Sequence, residues 1–201
     1  MTTPPFDPPT EWDIATVSAQ LGRPARNVLG IAARCVCGAP TVVATAPRLE
    51  DGTPFPTLYY LSHPAATAAV STLEATGVMP ELAALLVGER VSDGEGDSDS
   101  GSTTTTTSTS TSTSTSTSTS VAGRYLAAHE AYLSDRNGIE FVQELDGISA
   151  GGMPTRVKCL HALVAHTLAA GPGVNPIGDL ALERADWSPT VCQCVTAAAP
   201  A

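Results

Sequence analysis

The stretch "RVKCLHALVAHTLAAGPG", residues 156–173, decides how the rest of the chain must be arranged. Thr155 suits an N-cap, and Gly171 followed by Pro172 suits a stop, which predicts a helix of about four turns. At about 100° per residue, Val157, Leu160, Val164 and Leu168 gather on one side. Cys159 and His166, seven residues apart, fall within about 20° of each other on roughly the opposite side, beside Ala162 and Ala170. His161 sits near the edge of the apolar seam. A helix apolar on nearly all sides is a central element, packed from several directions.

What packs around it is read from the flanking segments. "PTVVATA" (40–46) and "TLYYLS" (57–62) are short, β-branched or aromatic, and read as two strands. "PRLEDGTPFP" between them is rich in turn formers, so an antiparallel pair is the simplest arrangement. Thr10, with Asp13 three residues on, opens a helix with Ile14, Val17 and Leu21 as its stripe, ended by Gly22 and Pro24. Ser62 and Pro64 fit the N-cap and first turn of a helix reaching Glu74, closed by Gly77. "VMPELAALLVGERV" (78–91) makes another, with Leu82, Leu85 and Leu86 inward. In "VAGRYLAAHEAYLSDRNG", Tyr125, His129, Tyr132 and Arg136 form one helical stripe. The expected architecture is a single α+β domain over residues 1–201, five or six helices around a small antiparallel sheet.

Residues 102–120 are all Ser or Thr, preceded by "DGEGDSDSG". Such a segment has no apolar face to offset the entropy of ordering, so residues 92–120 read as a disordered insertion in a surface loop.

The chain has 201 residues and a formal charge of −10, which speaks against a nucleic-acid partner, since counterion displacement needs a basic surface. Residues 22–48 nevertheless carry Arg23, Arg26, Arg34 and Arg48 and no acid, a local basic stretch suited to a small anionic ligand. The N-terminus lacks a secretory pattern, and no apolar run approaches the roughly 20 residues of a membrane span. A cytoplasmic location is expected. Five cysteines, four of them in Cys-x-Cys pairs, then favour thiols or metal ligands over disulfides.

Three groups of residues are candidates for chemistry. Cys159, near a helix start, is placed where the helix dipole lowers a thiol pKa; it is either a nucleophile or ligand thiolate, or an inert core thiol. Cys159 and His166 are the candidate catalytic pair, but about 10.5 Å of helical rise separates them, too far to share one metal. Cys159 and His161 diverge unless the helix begins later. "RCVCG" (34–38) and "VCQCV" (191–195) supply Cys35, Cys37, Cys192 and Cys194, a possible four-thiolate zinc site tying the tail to the hairpin, with His63 able to replace one ligand. "GPGVNPIGD" (171–179) offers backbone N–H groups with Asn175 and Asp179, and "PRLEDG" offers Arg48, Glu50 and Asp51.

"APRLEDGTPFPTLYYL", "AAHEAYLSDRNGI" and "GGMPTRVKCLHALVAHTLAAGPGVNPIGD" together resemble the bacterial family called domain of unknown function 501. The resemblance covers most of the chain outside the Ser/Thr tract, and the long third motif is specific. Matching motif residues are Arg48, Asp51, Tyr59, His129, Tyr132, Arg136, Lys158, Cys159, His161, His166, Asn175 and Asp179. The C-terminal Cys-x-Cys lies outside the recognised pattern. The resemblance implies no particular activity; its genomic neighbourhood, beside a septum-formation protein and an exopolyphosphatase, implies at most an adaptor role.

Two readings of function follow. One is a small-anion or substrate binding protein, or an enzyme, with Cys159 and His166 as reactive groups and Arg48, Asp51, His161, Asn175 and Asp179 holding the ligand. The other is a protein-interaction module stabilised by zinc or iron, held by cysteines with His63 or His161.

Overall fold

The computed structural model describes residues 6–87 and 120–194. The expected Ser/Thr insertion therefore lies outside the described residues, apart from Ser120. That residue is the N-cap of a helix, its hydroxyl accepting from the Gly123 N–H.

The elements run α1 (Glu11–Leu21), β1 (Val28–Arg34), β2 (Pro40–Thr45), β3 (Tyr59–Leu61), α2 (Pro64–Ala75), α3 (Val78–Ala84), α4 (Val121–Ile139), α5 (Leu160–Ala170) and α6 (Pro176–Arg184), with a short 3-10 turn at Gln143–Leu145. The three strands form one antiparallel sheet in the order β1-β2-β3. An α+β architecture of six helices and a small antiparallel sheet is what the described residues adopt.

The central strand β2 is buried along its whole length, and period-2 alternation divides its side chains between two cores. Val42 and Ala44 enter the main cluster with Leu58, Tyr59, Leu160, Leu163, Val164 and Ile177. Val43 packs on the other face with Val17 of α1 and Ile31 of β1. The sheet is thus covered on both sides, by α5 and by α1. β1 was not foreseen in the sequence: Gly30 and the alanines dilute its β-propensity. Gly30 is required there because a Cβ would collide with the Phe6 ring and the Asp7 carbonyl, where Asp7 bridges to Ile31.

The central helix begins later than expected. Cys159, not Thr155, is its N-cap, in extended backbone. Residues 156–158 are diverted into bonds with the preceding loop, the Arg156 N–H donating to Gly152 O and the Lys158 N–H to Gly151 O. α2 likewise starts one residue later, capped by His63 through Nδ1 rather than by Ser62. A sixth helix, α6, occupies the stretch read as a Gly-Pro turn. Its signal was present, Asn175 as N-cap followed by Pro176 at the first helical position.

The stripe on α4 is buried. Arg136 is fully buried, and its guanidinium donates to the Leu145 and Ile148 carbonyls, tying the 140–158 loop to α4. No helix among the described residues is long and apolar enough to cross a membrane.

Candidate metal centres

The β1–β2 connection is a tight turn in which the Cys35 N–H donates to Ala39 O and the Gly38 N–H to Cys35 O. This turn presents Cys35 and Cys37 together. The segment beyond α6 returns to it, anchored by buried Trp187, whose ring packs 5.5 Å from that of His63. The sulfur atoms of Cys35, Cys37, Cys192 and Cys194 all lie within 4.8 Å of one another, and Cys37 Sγ is 3.3 Å from Cys194 Sγ. Around an ion with metal–sulfur bonds of about 2.3 Å, a tetrahedron of sulfurs has edges of about 3.8 Å. The set therefore has the size of a four-thiolate centre. It joins the tail to the β1–β2 turn, not to the β2–β3 hairpin that the sequence reading implied.

His63 stands beside this set rather than in it. Its Nδ1 accepts from the Ala66 N–H, so the ring proton sits on Nε2, 3.2 Å from Cys194 Sγ. A donor aimed at a thiolate is the outer support that metal sulfurs commonly receive. The Ala39 backbone N–H draws the Cys37 thiol down to about 7, whereas burial pushes Cys35 and Cys194 up. Without a cation, four thiols so close cannot all ionise; with one, all four can.

A second group gathers where the N-terminus of α5 meets the last turn of α2. Glu74, Cys159 and His161 present ligand atoms all within 4.8 Å of one another. The sequence did not foresee Glu74. Its carboxylate accepts from the Leu160 N–H at 2.6 Å and so closes the helix end that Cys159 leaves open. His161 Nδ1 lies 3.3 Å from Glu74 Oε1 and 3.9 Å from Cys159 Sγ. The late helix start is what turns Cys159 and His161 toward each other. The hydrogen bond between them lowers the Cys159 thiol and raises the His161 ring, against burial in both cases.

His166 is placed elsewhere. It is fully buried, stacked 5.8 Å from the Tyr59 ring and edge-on to Tyr132, with Asn175 Nδ2 3.3 Å from its Nδ1. Burial drives its pKa down to about 4, so it is a neutral core ring. Asn175 also caps α6, accepting from the Gly178 N–H. Asp179 accepts from the Gly173 N–H, which fills the anion-binding end of the Gly-Pro turn with the chain's own carboxylate. Arg48 donates to Gly52 O and pairs with Glu144 at 2.9 Å, while exposed Asp51 accepts from the Thr53 N–H within the same loop.

Two cavities accompany these groups. One, of about 720 Å³, lies between the Gly-Pro turn, α6 and the C-terminal segment, and Asp179, Glu183 and Asp186 make it acidic. The other, of about 250 Å³, has an apolar floor of Val17, Val28, Val43, Phe55 and Tyr60 with Arg23 and Arg26 in its wall.

Residues 31–93 and 107–183 match the family described as protein of unknown function (DUF501). The chain belongs to this family. No curated protein and no solved structure matches it. The match to DUF501 contains the Cys35–Cys37 turn, Glu74, Cys159 and His161, and it ends before Cys192 and Cys194.

Proposed function

We propose that the protein is a zinc-stabilised module in which Cys35, Cys37, Cys192 and Cys194 bind one zinc ion as thiolates. The observation that carries this reading is the gathering of four sulfurs from segments some 157 residues apart in sequence within 4.8 Å. Four protein ligands fill a tetrahedral zinc, so this centre has a structural rather than a catalytic role. The thiolate set would also accept iron, and metal analysis separates the two. Purified protein is expected to contain zinc and to melt at a lower temperature once chelated. Cys37→Ser should lose this ion and shift the Trp187 fluorescence through His63. A metal-free sample with unchanged melting would overturn the reading.

A second reading concerns a small anionic ligand, and the smaller cavity supports it. Its apolar floor and its two exposed arginines suit an amphiphile with a carboxylate or phosphate head. The acidic larger cavity does not suit such a ligand. An anionic apolar dye such as ANS should bind the folded protein and lose affinity in the Arg23→Ala/Arg26→Ala variant. Unchanged dye binding in that variant would remove this reading.

A further inference from the structure

Three electron-pair donors converge at Glu74, Cys159 and His161, and the histidine's proton is already committed elsewhere. His161 Nε2 lies 3.2 Å from the Thr67 carbonyl and 3.0 Å from Ser71 Oγ. A carbonyl can only accept, so Nε2 carries a proton, and Nδ1 faces Glu74 Oε1 and Cys159 Sγ, with its lone pair in the neutral ring or a second proton in the imidazolium. With the ring neutral, three lone pairs face one another, and either a metal cation or a second ring proton must lie among them. A ring N–H held by a backbone carbonyl, with the other nitrogen facing a carboxylate and a sulfur, is the outer arrangement typical of metal-bound histidine.

The spacings approach those around a metal. With bonds of about 2.0 Å to nitrogen or oxygen and about 2.3 Å to sulfur, tetrahedral edges run from about 3.3 to 3.8 Å. The observed edges are 3.3 Å between His161 Nδ1 and Glu74 Oε1, and 3.9 Å between His161 Nδ1 and Cys159 Sγ. Glu74 is positioned as a ligand by the Leu160 N–H, which leaves Oε1 a second lone pair. The site is half-buried, with the side chains of His161 25% and Glu74 29% exposed, so water reaches it.

We propose that Glu74, Cys159 and His161 form a second zinc site, open at its fourth position. Three protein ligands with a water in the fourth place characterise zinc that polarises or activates a bound molecule, in contrast to the closed four-sulfur centre. Ser71 is a positioning residue for His161. The two sites share no ligand, so this assignment stands or falls independently of the structural centre.

The test uses the full chain and zinc alone as the probe. The protein is titrated with zinc, its metal content is measured, and alkylation of each cysteine is mapped with and without a chelator. Zinc-loaded protein should shield Cys159 from alkylation, and chelation should expose it. His161→Ala should remove one equivalent of zinc and leave Cys35, Cys37, Cys192 and Cys194 shielded. Ser71→Ala, an exposed change that leaves the fold intact, should weaken the second equivalent by about tenfold. If Cys159 in the unmodified protein alkylates at the same rate with saturating zinc as without it, the proposal fails, whatever the other four cysteines do. It fails equally if His161→Ala folds and retains the full zinc content. A thiolate–imidazolium pair without metal would give the first of these results.

Discussion

At the scale of single residues, the physical environment separates groups that look alike in sequence. His161 and His166 are five positions apart on one helix. The first faces a carboxylate and a sulfur; the second is enclosed by tyrosines and held neutral. Asp13 illustrates a carboxylate whose role is stability. It is buried, caps α1 with Thr10, and meets the Arg34 guanidinium at 2.6 Å. The hydrogen bond from Arg34 lowers its pKa from 3.8 to about 2. The folded value lies below the unfolded one, so the stabilisation is complete above 3.8 and is lost as pH falls towards 2. It is worth roughly 2 kcal/mol near neutral pH. Asp13→Asn should lower stability by about that amount at pH 7, and acid titration of unfolding should show the difference from the unmodified protein shrinking below pH 4. A constant difference across that range would be contrary to the assignment.

At the scale of elements, periodicity and capping residues made most of the chain legible. Thr10 with Asp13, the β-branched runs of β2 and β3, and the buried stripe of α4 were all readable because their determinants are local. β1 was missed because glycine and alanine give it little local preference, and pairing with β2 supplies what the sequence lacks. The start of α5 was misread because Thr155 is a sound N-cap in isolation, whereas loop hydrogen bonds and Glu74 decide the outcome. The α5–α6 contact yields a sharper expectation. Gly178 lies so close to α5 that a Cβ would collide with the Leu163 carbonyl and Thr167 Oγ1. Gly178→Ala, favourable for an exposed helix, should here destabilise the protein by about 2–3 kcal/mol in a denaturant titration. A neutral or stabilising result would show that α6 can move off α5. Arg136→Ala removes two charged hydrogen bonds to the 140–158 loop, and about 3 kcal/mol of stability should go with them. Hydrogen exchange should speed up most in that loop; a uniform change would place the role of Arg136 elsewhere.

For the whole molecule, the four-thiolate centre connects the start of the sheet to the end of the chain. The Cys-x-Cys pairs announced this set because each places two thiols within reach of one ion. Glu74 had no such signal, since its hydrogen-bonded partners lie 86 and 87 residues away and meet it only in the folded chain. A bound ion stabilises the folded state by an amount that grows logarithmically with free ion over its dissociation constant, so the melting temperature should rise with free zinc. It should also fall with pH as thiolates take up protons in competition with the metal. The most direct measurement is zinc content per chain for the unmodified protein and the Cys37→Ser variant, with melting curves recorded alongside. The expected result is one zinc fewer in the variant and a lower melting temperature. Equal zinc in both proteins, or a fully folded unmodified protein without metal, would contradict the account.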